Sequence, residues 1–305
     1  QLSPSIINVL KKYNIPVVMT LHDYKVIAPN YTLFYKGEVS YRACGGRYYQ
    51  CLLDKAIKNS YAKSFIAMFE AYLHNKILKT YNKVDCFIAP SEFMKSTCVR
   101  FGLPENKIKV VPHFVSPDFL VKSTNNDSHE NYILYAGRLS EEKGVESLLR
   151  AMSLVKKDVI LKIAGSGPQE KKLRELAQAL NINNRVEFLG NQDSKSLIKL
   201  MRDAHGIVIP SVWLEVFGYV AIEALAQKTP VIAARIGALP EIIKDGINGF
   251  LFKSGDTIDL AKKINILFSK SLSLELRSDN IAKKYGYDTH YSVLAGLYAK
   301  YLTKF

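Results

Sequence analysis

The chain has 305 residues, of which 48% are hydrophobic and 23% charged, and 42 Lys+Arg against 28 Asp+Glu give a formal net charge of +14. At about 150 residues per domain this length predicts two domains, and that much apolar material excludes an intrinsically disordered chain. No apolar run reaches the roughly 18 residues of a membrane-spanning helix, and Gln1-Leu2-Ser3-Pro4 lacks the basic and apolar regions of a signal peptide. In chain order, residues 4–13 read as a helix and 16–21 as a buried strand. Residues 65–81 read as a helix, 84–89 as a strand, 91–101 as a helix N-capped by Ser91 and stopped at Gly102 and Pro104, and 108–111 as a short strand. The polar run 123–130 is the linker candidate. Strands then follow at 132–136, 159–164, 185–188, 206–209, 230–233 and 249–251. Helices fall between them at 144–154, 168–180, 194–202, 217–226 and 239–244. The tail, 256–305, reads as helical throughout, with 291–301 as its last amphipathic segment. This alternation predicts α/β domains with parallel sheets wound by helices on both faces. The first domain offers about three strands and opens directly on a helix, so it is expected to be incomplete at its start.

Charge is unevenly spread. Residues 1–117 hold 16 Lys+Arg and 7 Asp+Glu, net +9, against 26 and 21, net +5, in 118–305. A basic surface attracts phosphates, but the cations are scattered rather than blocked, so no nucleic-acid partner is expected. The apolar spacing in 60–81 fits either a core helix, the commoner case, or a membrane-surface helix. Four cysteines are too few for a disulfide scaffold, and a reducing, cytoplasmic setting is expected. Cys44 and Cys51 alone do not close a tetrahedral zinc site, and they read as two ordinary cysteines.

In open α/β sheets ligands bind beyond the carboxyl ends of the strands, so the strand-to-helix junctions of the second domain are where chemistry is expected. The first, Ala136-Gly137-Arg138-Leu139-Ser140-Glu141-Glu142-Lys143-Gly144, puts two cations, Arg138 and Lys143, at a helix start, where the backbone already favours anions. They fit a diphosphate lying between them, or solvent-facing pairs with Glu141 and Glu142. The second, Gly165-Ser166-Gly167-Pro168, is a glycine-rich turn that lacks the third glycine of the dinucleotide fingerprint. The third runs from Pro210 to Ala226. Glu215 precedes a helix whose first turn, Phe217, Gly218, Tyr219 and Val220, offers backbone N–H groups to phosphate or sugar oxygens. Glu223 lies on the apolar helix that follows, where a carboxylate needs a polar partner such as a ribose diol or a basic side chain.

These motifs, with Gly237–Glu241 and Asp245–Leu251, span residues 130–252 in order and resemble family 4 of the nucleotide-sugar glycosyltransferases, which have the GT-B fold. Thr20-Leu21-His22-Asp23-Tyr24, Ile88-Ala89-Pro90-Ser91 and Val110–Val115 match the same pattern in the first domain. The resemblance implies two Rossmann-type domains facing a cleft: an incomplete N-terminal acceptor-side domain, 1–117, and a donor domain, 118–305, whose last helix is expected to pack back on the first. It implies retaining transfer of a sugar from a nucleotide-diphospho-sugar to a glycan or lipid-linked acceptor in surface polysaccharide biosynthesis. The nucleotide sugar is a co-substrate, and neither a cofactor nor a catalytic metal is expected. Carried over by position, Arg138 and Lys143 neutralise the donor diphosphate, and Gly137, Gly165 and Gly167 shape its loops. Glu215, with backbone from Phe217, Gly218, Tyr219 and Val220, binds the sugar, Glu223 binds the ribose, and His22 acts at the donor sugar or the acceptor.

The pattern departs from the family in two places. The strand and glycine-rich loop that open the family's acceptor domain have no counterpart here, and His113 stands where an Asn-Gly turn is usual. Tyr41 and Ala56 likewise occupy places where some relatives carry further cysteines. A non-catalytic nucleotide-sugar-binding fragment or one half of a split transferase, joined by a missing N-terminal piece or by dimerisation, therefore stays open. So does peripheral contact with the inner face of the membrane. An epimerase on the same fold and a nicotinamide dehydrogenase fit the motifs less well.

Overall fold

The computed structural model describes residues 3–120, 130–156, 158–269, 274–276 and 278–302. It divides into two compact units, Gln1–His113 with His290–Phe305, and Phe114–Thr289. The first holds α1 (Ile6–Lys12), β1 (Val18–Thr20), a small hairpin of β2 (Phe34–Tyr35) and β3 (Glu38–Val39), α2 (Tyr49–Leu53), α3 (Tyr61–Tyr72), β4 (Cys86–Ala89), α4 (Glu92–Arg100) and β5 (Ile108–Val110). β1, β4 and β5 form a three-stranded parallel sheet in the order β1-β4-β5, with Val18 opposite Cys86 and Phe87 opposite Ile108. The four residues of β4 are all buried, as expected for a central parallel strand. Ser91 caps α4 by accepting the backbone N–H of Met94 at 3.1 Å. The helix read at 65–81 is displaced. It starts at Tyr61, capped by Ser60, and gives way after Tyr72 to a π-helical turn, Leu73–Ile77, and a 3-10 turn, Thr80–Lys83. Its large apolar side chains are not in the core: Phe65, Ile66 and Phe69 are exposed.

The second unit is a six-stranded sheet with helices between its strands. In chain order these are β6 (Glu130–Ala136), α5 (Val145–Met152), β7 (Ile160–Ala164), α6 (Glu170–Ala179), β8 (Val186–Gly190), α7 (Ser194–Asp203), β9 (Ala204–Ile209), α8 (Tyr219–Ala226), β10 (Val231–Ala234), α9 (Leu239–Ile242), β11 (Gly249–Phe252), α10 (Thr257–Leu267) and α11 (Ser278–Tyr285). Every pairing is parallel, in the order β11-β10-β9-β6-β7-β8. β6 shows why both faces are covered. Ile133 and Tyr135 enter one buried cluster, with Leu148 and Leu149 of α5, while Leu134 and Ala136 enter the other, with Ala221 and Ile222 of α8. Successive side chains of a strand point to opposite faces, and fully burying each Leu or Ile contributes about 1.5–3 kcal/mol.

The expected linker at 123–130 lies mostly outside the described residues, since Glu130 opens β6 and 121–129 are not described. The tail is not helical throughout. Residues 274–276 have no regular secondary structure, and Gly286 separates α11 from α12 (Tyr287–Leu302). On α12, His290 Nδ1 lies 2.7 Å from the carbonyl oxygen of Pro112. Among the described residues no helix is long and apolar enough to cross a membrane.

Candidate active site

In the six-stranded sheet the chain order reverses between β6 and its neighbour β9, because β6 leads outward to β7 and β8 while β9 leads to β10 and β11. The crevice at the carboxyl ends of two such strands is where open α/β sheets take ligands. The loops there are 137–144 after β6 and 210–218 after β9, and they are joined by backbone. Val212 N–H donates to the Glu142 carbonyl at 3.0 Å. Gly144 runs so close to Pro210 that a Cβ on it would lie 2.0 Å from the Pro210 carbonyl oxygen. The loop after β7 locks against the first. Gly137 N–H donates to Ala164 O, Leu139 N–H to Ser166 O and Gln169 N–H to Leu139 O, all within 3.0 Å. At Gly165 a Cβ would lie 1.9 Å from the Gly137 carbonyl oxygen.

A pocket of about 590 Å³ opens between these loops, lined among others by Gly137, Arg138, Gly165, Gly167 and Val220. Arg138 is exposed, and its guanidinium makes no hydrogen bond or ion pair among the described residues. Neither cation pairs with Glu141 or Glu142. Lys143 reaches across to Glu215, Nζ to Oε1 at 2.7 Å, and the Ser211 hydroxyl donates to the same oxygen at 2.7 Å. Glu215 is buried, and its Oε2 takes no hydrogen bond among the described residues. The Lys143 ammonium also lies 5.0 Å from the Trp213 ring centroid, close enough for cation–π attraction. The buried indole N–H of Trp213 has no acceptor among the described residues.

Gly218, φ 115°, is the N-cap of α8, and no side chain caps the first turn. The Phe217 side chain does not face the pocket. It is buried in the core, edge-on to Tyr219 at 5.4 Å and to Tyr285 at 5.9 Å. Glu223, one turn further on, is half-buried, and its carboxylate makes no salt bridge or hydrogen bond among the described residues. Burial pushes its carboxyl above the usual range. The basic partner that the sequence left open for Glu223 is thus absent among the described residues.

Four residues make contacts here that the sequence did not show. The Tyr135 hydroxyl donates to the Arg138 carbonyl at 2.7 Å and so holds the base of that loop; a tyrosine on a buried strand reads as core. Ser140 donates to Glu142 Oε1 at 2.5 Å. The parts of Ser211 and Trp213 become clear only once Lys143 is seen to cross to Glu215.

His22 belongs to the other unit, just beyond the carboxyl end of β1, and is exposed. Its ring stacks on that of His113, with centroids 5.4 Å apart and planes 6° from parallel. Burial, then His22 and His290, hold the His113 imidazole neutral, with its pKa lowered from 6.5 to about 4. An unfolded chain takes up that proton near pH 6.5 and the folded one only near pH 4. This contribution to stability is therefore present above the unfolded value and lost as pH falls. The expected loss is about 2 kcal/mol between about pH 7 and pH 5, and urea titrations should find it flattened in His113→Asn. An unchanged pH slope in that variant would remove His113 as its source.

Cys44 and Cys51 are both buried, and burial pushes their thiols up to about 12 and about 11, away from the thiolate form that binds metals. Among the described residues no group of three or more metal-ligating side chains occurs.

Comparison with known proteins agrees with this layout. The family model described as glycosyl transferases group 1 matches residues 118–287, and that of glycosyltransferase family 4 matches 2–119. An uncharacterized glycosyltransferase of Methanocaldococcus jannaschii is 37% identical over 186 residues, 56% of this chain and 47% of its own length. A D-inositol 3-phosphate glycosyltransferase of Mycobacterium sp. is 37% identical over 150 residues, 47% of this chain and 34% of its own length. The chain thus spans half or less of the length of the curated relatives it matches. Among solved structures, HepE of Anabaena in complex with UDP is 19% identical with a TM-score of 0.73, over 97% of this chain and 76% of that one. Sucrose-phosphate synthase of Thermosynechococcus elongatus is 22% identical with a TM-score of 0.74, over 98% and 71%. Both likenesses show the fold, that of the GT-B glycosyltransferases. With a model matched over more than half of its residues, the chain belongs to the family of glycosyl transferases group 1.

Proposed function

We propose that the chain is a glycosyltransferase that takes its sugar from a nucleotide-diphospho-sugar, held in the switch-point pocket of the second unit. The observation that carries this reading is Arg138, an exposed guanidinium without a described partner, at the rim of a glycine-walled pocket. A diphosphate supplies the anion it lacks, in the bidentate geometry that guanidinium groups favour. Lys143 adds a second cation whose charge is shared with Glu215. When the bond between the sugar carbon and the diphosphate oxygen breaks, negative charge builds on the departing diphosphate. Fixed cations and the N-terminal end of α8 stabilise that charge without reorganising. Glu215 Oε2 is assigned to sugar hydroxyls, backbone at 217–220 to sugar or phosphate oxygens, and Glu223 to the ribose.

His22 is assigned to the reacting sugar or the acceptor hydroxyl, and the acceptor is a glycan or a lipid-linked one. Transfer is proposed to retain the sugar's configuration without a catalytic metal and to serve surface polysaccharide synthesis. The UDP in the Anabaena HepE structure makes UDP sugars the donors to try first.

The test is a thermal-unfolding titration with UDP, GDP, ADP and their sugars, with Arg138→Ala beside the native chain. One nucleotide family is expected to raise the midpoint, by about 2.7 kcal/mol of stabilisation at a hundredfold excess over its Kd. The variant is expected to bind roughly 10- to 100-fold more weakly, the worth of charged hydrogen bonds, with its ligand-free midpoint unchanged because the Arg138 side chain holds nothing in place. No shift with any nucleotide would sink the donor reading. A shift without sugar transfer to any acceptor would reduce the chain to a nucleotide-sugar-binding module.

A further inference from the structure

We infer that the outward face of α3, with the lysines around it, docks the first unit on an anionic lipid surface. The helix carries its side chains in the opposite sense to a core helix. Its packed side is made of small residues, with Ser64 and Ala71 buried. Its large apolar residues face water: Tyr61 is 58% exposed, Phe65 52%, Ile66 65% and Phe69 55%. At 3.6 residues per turn Ala62, Phe65, Ile66 and Phe69 form one stripe, and Ile77, in the turn that follows, is 68% exposed. Single exposed apolar side chains are ordinary, whereas a contiguous stripe marks a surface that is covered in use.

The charges around the stripe identify what covers it. Residues 49–79 carry Lys55, Lys58, Lys63, Lys76 and Lys79 against Asp54 and Glu70. Both carboxylates are already paired, Asp54 with Arg42 and Glu70 with Lys25, each at 2.9 Å. None of the five lysines pairs with a carboxylate among the described residues. Lys76 and Lys79 also rim a cavity of about 400 Å³ whose other polar lining includes Asn75, Asn82 and Tyr48 and no acidic residue. That cavity adjoins the end of α3, where the Tyr72 hydroxyl donates to the Gly46 carbonyl at 3.1 Å.

An apolar stripe with unneutralised lysines close to it in the chain matches the acyl boundary and the phosphates of an anionic bilayer. A second copy of the chain fits poorly, since a two-fold contact would set the same cations against each other. The inference uses no residue of the donor pocket, so it stands or falls apart from that reading.

The experiment is co-sedimentation of the full chain with vesicles of phosphatidylcholine alone and with about one-third phosphatidylglycerol. Binding is expected only to the anionic vesicles and is expected to weaken with salt. Lys76→Gln with Lys79→Gln should weaken it roughly 25-fold, about fivefold per lysine at the membrane surface, and Phe65→Glu with Phe69→Glu should lower it at least as far. Thermal unfolding of each variant checks that these exposed changes leave the fold intact. Equal binding to both vesicle types, no binding to either, or binding that neither pair of substitutions alters would each overturn the inference. So would a lipid-free dimer, seen by light scattering, that the phenylalanine substitutions dissolve.

Discussion

Lys143→Met is expected to lower the unfolding midpoint and to weaken nucleoside diphosphate binding, and adding Glu215→Gln is expected to restore the stability alone. The reason lies in the pair's geometry. Lys143 Nζ and the Ser211 hydroxyl both meet Glu215 Oε1 at 2.7 Å, and the Glu215 side chain is 11% exposed. Withdrawing the ammonium leaves a buried carboxylate with one neutral hydrogen bond, a change that typically costs about 3–5 kcal/mol. Lys143 itself is 27% exposed, and water near it holds the expected cost to about 3 kcal/mol. Neutralising Glu215 removes the stranded charge, and an intact buried pair contributes little beyond its desolvation cost. The double variant should therefore unfold close to the native midpoint. Diphosphate binding should still be weakened roughly 10- to 100-fold, because the cation is gone in both variants. Urea titration and nucleotide titration of the three proteins separate the two effects. A native-like midpoint for Lys143→Met would show that the pair constrains nothing, and native-like affinity in the double variant would remove Lys143 from the anion site.

That cycle also marks where sequence reading reached and where it stopped. The α/β class was legible because runs such as Gly206–Ile209 in β9 are short, apolar and bounded by turns. The three strand-to-helix loops were legible because glycine, cation and carboxylate lie there in unusual order. Partner identity was not. Glu141 and Glu142 stand beside the cations in sequence, yet Lys143 crosses 72 positions to Glu215, because β6 and β9 are neighbours only through the reversal of strand order. The stack of His22 on His113 is likewise invisible, because the two rings follow β1 and β5, the outer strands of the first sheet, far apart in the chain.

That residues 60–81 fit either a core or a surface helix has a different cause. Helical periodicity reports that apolar residues share a face, and nothing in it says whether that face meets protein or water. The small residues Ser64, Ala67 and Ala71 on the other side were the available clue. In the tail, apolar content extends the helical reading across 274–276, where the chain has no regular secondary structure.

Gly165→Ala is expected to be among the most damaging single substitutions in the second unit. Two costs meet at this position. Its φ of 141° lies where side chains other than glycine's are strained, and a Cβ would lie 1.9 Å from the Gly137 carbonyl oxygen. The obstacle is backbone, so no rotamer change relieves it. Gly137 is in turn tied to Ala164 O, while Gly165 N–H donates to Gly190 O at 2.7 Å. Relief requires the loops after β6 and β7 to part. A cost of about 4 kcal/mol follows from strain and overpacking together, a fall of roughly 10 °C in Tm for a unit of this size.

Gly190→Ala separates the two contributions. Gly190 also has a positive φ, 67°, but nothing lies within 4 Å of its would-be Cβ, so about 1 kcal/mol of conformational strain is all it should lose. Binding sharpens the contrast. Gly137, Arg138, Gly165 and Gly167 line one pocket, so parting the loops moves Arg138 away from the place where a diphosphate would lie. Gly165→Ala should thus lose nucleotide binding even below its lowered Tm, while Gly190→Ala keeps it. Equal losses of Tm in the two variants would mean that the loop contact bears no load. Full nucleotide affinity in Gly165→Ala would mean that the pocket's shape does not depend on the close approach of the two loops.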